Sequence, residues 1–175
     1  MAGVLPGAVR QVGYVVNDLD DALAHWTGTL GVGPWFKIPN LVLDDCDYRG
    51  QTVSTEISFA IANSGEMQFE LIQPQGDTPS CYSEFLAEGT AGPHHMAWWT
   101  EDFDATLERA TRQGWEQIQS GDAMGTRFCY FDGAQRGALA ELMELNDMSR
   151  WLADHTRDAA LSWDGLSDPV RAVGL

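Results

Sequence analysis

The chain has 175 residues, of which 44% are hydrophobic and 21% charged, a composition typical of a globular protein and not of a disordered one. Its 26 acidic residues against ten lysines and arginines give a formal net charge of −16, so its surface repels nucleic acid and anionic membranes. The same charge disfavours a strongly anionic substrate, unless arginines such as Arg10, Arg49 or Arg127 gather at one mouth.

No apolar run approaches the length of about 20 residues that spans a bilayer. The first residues also lack a basic region followed by a long apolar one, so we expect a soluble, cytoplasmic protein. The three cysteines are widely and irregularly spaced, which argues against a disulfide framework and against a thiolate zinc site: Cys46, Cys81 and Cys129. We expect all three to be reduced and structural.

The first half of the chain predicts a strand, a helix and three further strands. Residues 9–16 are rich in β-branched side chains, which favours a strand. Asn17 or Asp18 can then cap a helix with one apolar face, and Gly31 is its expected end. The following strands are predicted to begin at Trp35 and to cover residues 53–61 and 67–72, the last two joined by a turn at residues 63–65.

The second half predicts the same order of elements after a connector at residues 73–92, which contains a short helix at 82–86. Residues 93–99, with two adjacent histidines, predict a buried strand. Asp102 caps a helix that Gly114 ends. The remaining elements are three strands and a helix in the tail, at residues 115–118, 127–131, 138–145 (after an Asp132–Gly133 turn) and 148–160.

The two halves also match residue by residue, which indicates an internal duplication. A shift of 84 residues superposes the beginnings of the two halves, and a shift of 71 superposes their ends. The matched pairs are Gln11 with His95, Gly13 with Ala97, Asp18 with Asp102, and Glu70 with Glu141. The smaller second shift predicts longer loops in the first half.

The alternation of a strand separates the two histidines, because neighbouring residues point to opposite faces. With His95 inward, Ala97 and Trp99 face inward with it and His94 lies on the other side. The small residues Gly13 and Ala97 then leave room for a metal and a substrate. Alternation alone allows either histidine to be the inward one.

Four motifs on this duplicated frame resemble the vicinal oxygen chelate superfamily, of the glyoxalase/bleomycin resistance/dioxygenase type, and most closely its methylmalonyl-CoA epimerase branch. The motifs are Gln-Val-Gly with Asp-Leu-Asp at 11–20, Phe-Glu-Leu-Ile-Gln-Pro at 69–74, Gly-Pro-His-His-Met-Ala-Trp at 92–98 and Ala-Glu-Leu-Met at 140–143. The resemblance implies an α+β fold in which two βαβββ modules form one open, metal-centred β-barrel. The expected boundaries are modules at about 8–74 and 93–146, a single domain 1–146, and a C-terminal helical tail at 147–175.

The resemblance also implies a divalent metal held by Gln11, Glu70, His95 and Glu141. Gln11 stands where the epimerase branch usually has histidine, and the resulting Gln, Glu, His, Glu set is similar to that of the eukaryotic type of glyoxalase I. This mixed oxygen and nitrogen set suits Zn, Co, Ni, Mn or Mg. It suits a non-haem iron dioxygenase badly, because that site needs two histidines and one carboxylate.

The function implied is that of a metal-dependent isomerase, epimerase or lyase that acts next to a substrate carbonyl through a metal-stabilised enolate. Glu141 or Glu70 would serve as the base. The partners implied are a small-molecule substrate and a second copy of the chain in a homodimer. The pocket walls are expected to be Trp35, Phe36, Tyr48 and Trp99. The alternatives are an extradiol-type dioxygenase and a metal-free small-molecule binding or resistance protein.

Overall fold

The computed structural model describes residues 3–89, 91–132 and 139–173. Its helices are α1 (Leu19–Gly28), α2 (Cys81–Ala87), α3 (Phe103–Arg112) and α4 (Asp147–Ser162). Its strands are β1 (Gln11–Val15), β2 (Trp35–Val42), β3 (Asp44–Tyr48), β4 (Gln51–Thr52), β5 (Glu56–Ser64), β6 (Met67–Gln75), β7 (Gly92–Thr100), β8 (Glu116–Ala123), β9 (Thr126–Asp132), β10 (Leu139–Glu144) and β11 (Val170–Ala172). The predicted turn residue Gly133 and the predicted first residue of β10, Ala138, lie outside the described residues.

All the described strands belong to one open sheet in the order β11-β2-β5-β6-β1-β7-β10-β9-β8-β3-β4. The first module contributes β1, α1, β2, β5 and β6, and the second contributes β7, α3, β8, β9 and β10. The modules meet along β1 and β7, which pair antiparallel, and β6 and β10 flank this pair in parallel. The predicted α+β fold of two βαβββ modules on one open sheet is therefore confirmed.

The first helices of the two modules show the repeat most clearly, because both ends of α3 lie 84 residues after those of α1. Each helix begins after an aspartate whose carboxylate accepts a hydrogen bond from a backbone N–H of the first turn. Asp18 accepts from Asp21 and Asp102 from Ala105. The sequence predicted the second cap, Asp102, and offered Asp18 beside Asn17 for the first.

The longer loops predicted for the first module contain two strands that the sequence did not reveal. β3 follows β2 after the single residue Leu43 and pairs with β8 of the second module, at the far end of the strand order. Since β2 lies near one end of the sheet and β3 near the other, this short connection requires the sheet to curl until its ends approach each other. The curl produces an inner face.

The outer face of the sheet is covered by one helix from each module. Leu19 and Leu23 of α1 pack with Trp35 in one apolar cluster, and Phe103 and Ala110 of α3 pack with Leu142 in another. The larger cluster lies on the inner face and includes side chains of α2 and α4. The core is thus divided into two outer layers and one inner layer.

The C-terminal tail takes part in both the sheet and the inner layer. The helix α4 packs against β5, and β11 pairs in parallel with β2. Trp163 lies over Gly33, where a β-carbon would come within 2.9 Å of the indole ring. Residues 147–173 therefore complete the same folded body and are not a separate appendage.

Two expectations about the chain as a whole can be compared with the structure. The three cysteines, expected to be reduced and structural, are free and buried in the structure. Within the described ranges, no helix has the length and apolar character needed to cross a membrane.

Candidate metal and substrate site

The four predicted ligands come from four adjacent strands in the order β6, β1, β7 and β10. Gly13 of β1 is paired with Glu70 on one side and with His95 on the other. Ala97 of β7 is paired with Gln11 and with Glu141. The register therefore brings the four side chains to one place on the inner face, where Gln11, Glu70 and Glu141 line a cavity.

His95 lies at the centre of this group and is fully buried. Its Nε2 atom is 3.2 Å from Oε2 of Glu141 and 3.4 Å from Oε2 of Glu70. The shorter contact is within ion-pair distance but is not aligned as a hydrogen bond, so both of its atoms lack a hydrogen-bond partner. Oε1 of Gln11 is a third buried atom without one. Nε2 of His95 and Oε2 of Glu141 still form an ion pair, so the atom of this set with neither a hydrogen bond nor an ion pair is Oε1 of Gln11, which can receive a ligand.

The space for His95 is provided by Gly13. A β-carbon added at Gly13 would lie 1.9 Å from Cε1 and 2.1 Å from Nε2 of the His95 ring. Gly13 has no positive φ, so it is required here for the close approach of a ring and not for its backbone conformation. The sequence predicted that Gly13 leaves room for a metal and a substrate, but the ring of His95 fills the space beside Gly13.

A chain of hydrogen bonds fixes the orientation of Gln11. Its Nε2 donates to Oε1 of Gln68 over 2.7 Å, and Nε2 of Gln68 donates to Oγ1 of Thr156 over 3.3 Å. Thr156, which is fully buried on α4, donates in turn to Oδ1 of Asn63 over 2.9 Å. Because the Gln11 amide nitrogen is used in this chain, its oxygen remains free for the site.

Gln68 and Thr156 are site residues that the sequence analysis did not identify. Gln68 was accessible in principle, since it precedes Glu70 by two residues on one strand and must share its face. Thr156 had no such signal, because only the packing of α4 brings it to the site.

The position of His94 differs from the one predicted. The register of β1 and β7 pairs Gly13 with His95 but Tyr14 with Pro93, so His94 is the extra residue of a β-bulge. The bulge interrupts the alternation, and Nδ1 of His94 lies 3.0 Å from Nδ1 of His95. Strand alternation holds only where the ladder is regular, so it did not predict this contact between the two rings, although His94 stays outside the lining of the cavity.

The two histidines have opposite electrostatic environments. Burial and the adjacent His95 lower the pKa of His94 to about 3. Burial also acts to lower the pKa of His95, but the charges of Glu141 and Glu70 outweigh it and raise that pKa to about 9. Burial raises the pKa of Glu70, although His95 acts in the opposite direction. His95 is thus paired electrostatically with the two carboxylates, whereas the low pKa of His94 keeps that side chain neutral.

Most of the cavity wall is apolar. The strands and loops of both modules contribute Leu43, Ile57, Phe59, Ile61, Ile72 and Phe128, and α4 contributes Met148 and Leu152. Trp99 also lines the cavity, where the sequence placed it. The polar lining residues are Gln11, Gln68, Glu70, Tyr82, Thr126, Tyr130, Glu141 and Ser149.

The other three predicted wall residues do not line this cavity. Trp35 is buried on the outer face in the cluster of α1, because alternation along β2 turns it away from the interior. Phe36 faces inward, but its ring lies 4.9 Å from that of His155 on α4, which covers it. Tyr48 lies on β3, and its hydroxyl donates to Glu84. The sequence suggested these aromatic residues as walls but could not determine which way their side chains face.

The chemistry of the donor set fits a divalent metal, although the side chains are not arranged around one. Within the described part of the chain, no group of three or more His, Cys, Asp or Glu side chains could hold a metal ion as it stands. Ligand atoms of a tetrahedral or octahedral metal lie roughly 2.8–3.6 Å apart, however, and the contacts of His95 Nε2 with the two carboxylates fall in this range. Gln11 Oε1 would add an oxygen ligand.

The fold is shared with known structures. A methylmalonyl-CoA epimerase from Mycobacterium tuberculosis superposes with a TM-score of 0.62 at 22% identity, covering 86% of this chain and 96% of the other. A hypothetical protein from Bacillus halodurans gives 0.57 at 22% identity, with coverage of 80% and 95%. A methylmalonyl-CoA epimerase in complex with methylmalonyl-CoA and NH4+ gives 0.53 at 21% identity, with coverage of 79% and 94%.

At these identities the structural likeness concerns the fold alone, and no curated protein matches the chain in sequence. A family model does match it, over residues 10–130, and carries the description Glyoxalase/Bleomycin resistance protein/Dioxygenase superfamily. This match spans more than half of the chain and includes Gln11, Glu70 and His95. The chain therefore belongs to the glyoxalase/bleomycin resistance protein/dioxygenase superfamily, the vicinal oxygen chelate superfamily that its duplicated motifs resemble.

Proposed function

We propose that this protein is a divalent-metal-dependent isomerase, epimerase or lyase that acts at a carbon next to a substrate carbonyl. The observation that carries the proposal is the meeting of Gln11, Glu70, His95 and Glu141 on four adjacent strands, with His95 between the two carboxylates and a buried Gln11 oxygen that accepts no hydrogen bond. These four side chains would hold the ion. The ion, whether Zn, Co, Ni, Mn or Mg, would stabilise the negative charge that develops on the carbonyl oxygen.

The protein's own residues would bind the substrate and move its proton. Glu70 and Glu141 line the cavity, so either carboxylate can reach a substrate C–H and accept its proton. Gly13 would leave the space that the His95 ring needs. Gln68 would hold Gln11 in place through their hydrogen bond. The apolar wall would exclude water from the reacting carbon. The structural neighbours that are epimerases of methylmalonyl-CoA support this class of reaction without fixing the substrate.

The test is metal content together with proton exchange. Protein purified without chelator and reconstituted with each ion should bind about one equivalent, and Glu141→Gln should lower that affinity by at least about tenfold. Glu144→Gln is the matched control, because Glu144 is on the same strand but pairs with Arg127. In D2O the metal-loaded protein should incorporate deuterium into the methyl group of 1-phenyl-1,2-propanedione faster than buffer does. Absence of bound metal after reconstitution would refute the proposal.

One observation favours a second candidate, the metal-free binding protein. His95 already lies between two carboxylates, so the site has electrostatic partners of its own. Under that reading the apolar cavity binds a small molecule without reaction, and neither metal nor deuterium exchange would be found. Oxygen uptake with catechols would instead support the dioxygenase, which Gln11 disfavours.

The oligomeric state and location remain proposals. We propose a homodimer, as the family resemblance implies, and a cytoplasmic location, as the composition of the chain suggests. Light scattering of the purified protein would test the dimer.

A further inference from the structure

The charged residues that line the cavity are all acidic. Its acidic lining residues are Glu70 and Glu141, and no described lining residue is a lysine, an arginine or a histidine. His95 contacts both carboxylates but does not line the cavity itself. A divalent ion between the two carboxylates would bring their summed charge to zero. With His95 as a neutral ligand of that ion, the site would be neutral overall, and no further cation would compensate a charged substrate.

The arginines that could have supplied this compensation are engaged elsewhere. Arg49 forms an ion pair with Glu84. Arg127 pairs with Asp104 and Glu144. Arg10 is exposed, and its guanidinium lies 5.0 Å from the centre of the Trp99 ring without lining the cavity itself. The gathering of arginines at one mouth, left open by the sequence, does not occur among the cavity-lining residues that the structure describes.

The polar groups of the wall are few, and several are already used. The hydroxyls of Tyr82 and Tyr130 bond to each other over 3.1 Å. The hydroxyl of Ser149 donates to the backbone oxygen of Glu144 over 2.9 Å. The lining atoms that are buried without a hydrogen-bond partner are Oε1 of Gln11, Oε2 of Glu141 and Nε1 of Trp99. A ligand finds few polar partners there and apolar side chains over most of the wall.

We infer that the cavity selects an uncharged, largely apolar substrate that places one carbonyl or hydroxyl group at Gln11, Glu70 and Glu141. This inference rests on the proposed function for the role of that oxygen. It disfavours substrates that place a carboxylate beside Glu70 and Glu141, because the two glutamates already neutralise the ion and a further buried anion has no compensating charge.

The first test compares two ligands of nearly equal size by titration calorimetry on the metal-loaded protein. The neutral diketone 1-phenyl-1,2-propanedione should bind at least about tenfold more tightly than the anion benzoylformate. Methylmalonyl-CoA should bind no more tightly than benzoylformate. The inference is overturned if either anion binds as tightly as the diketone, or if the diketone does not bind.

A variant with an added cation gives a second test. Met148 and Met96 are both 38% exposed, but only Met148 lines the cavity. Met148→Lys should reduce the preference for the diketone by about tenfold, and Met96→Lys should leave it unchanged. An unchanged preference in Met148→Lys, in a protein that unfolds at the same temperature as Met96→Lys, contradicts the inference.

Metal content measured on the same samples separates this inference from the proposed function. Preference for the neutral ligand in protein that binds no metal would refute the proposed function and leave the charge selection in place. Preference for the anion in protein that binds metal would refute only the charge selection.

Discussion

The two modules place their first predicted ligands on β1 and β7 in equivalent positions, but they hold them differently. Each ligand lies opposite a small residue of the other module, Gln11 opposite Ala97 and His95 opposite Gly13. The imidazole ring leaves no space for a β-carbon at Gly13, whereas the flexible amide chain is accommodated beside alanine. The small residue in each module is thus matched to the ligand of the other module.

The support behind the two ligands differs as well. Gln11 is oriented by neutral hydrogen bonds that lead through Gln68 to α4. His95 is oriented by the charges of Glu70 and Glu141 and by the bulged His94. The duplicated frame therefore keeps the ligand positions, while unrelated parts of the chain hold each side chain in place.

The largest effect is expected from Gly13→Ala, which would make the two modules alike at this position. The new methyl group would overlap the buried His95 ring, so we expect the free energy of unfolding to fall by about 3 kcal/mol. Denaturant unfolding measures this. Gly28→Ala is the control, since a β-carbon there meets no atom within 4 Å. Equal stabilities of the two variants would show that the ring does not lie against β1.

A smaller effect is expected from Thr156→Val, which removes the hydrogen bonds that α4 supplies to Gln68 and Asn63. Loss of this buried hydroxyl should lower the unfolding free energy by about 1–2 kcal/mol, and Thr156→Ser should restore most of it. Thr111→Val is the control, because that exposed hydroxyl bonds only within its own helix.

The same variant tests whether the support from α4 acts through Gln11. Thr156→Val should weaken metal binding in the natural chain but not in a Gln11→Ala background, as measured by competition with a metal indicator. An equal loss in both backgrounds would mean that Thr156 stabilises the fold without positioning Gln11.

The smallest effects on stability are expected from the helix caps, which the two modules share. Asp18→Ala and Asp102→Ala each remove a helix cap and should each cost about 1 kcal/mol of unfolding free energy. Because the two helices belong to different modules, the effects should add in the double variant. A negligible effect of one substitution would show that the equivalence of α1 and α3 does not extend to their energetics.

The sequence by itself determined the duplicated frame. Apolar periodicity, capping aspartates and helix-ending glycines are local signals, so α1 and α3 were predicted with the correct offset of 84 residues. The same offset related Gln11 to His95, and the offset of 71 related Glu70 to Glu141. These residues lie together because the repeated chain order pairs β1 with β7 and places the equivalent strands β6 and β10 on either side of that pair.

Tertiary structure alone decided how the frame becomes a site. The bulge at His94, the pairing of β3 with β8, the facing of Trp35 and the arrival of Thr156 depend on contacts between residues far apart in the chain. Such contacts leave no periodic signal, because strand register and helix docking are fixed by the whole core and not by neighbouring residues. The positions of the predicted ligands could therefore be found from the sequence, whereas their supports and the walls of the cavity could not.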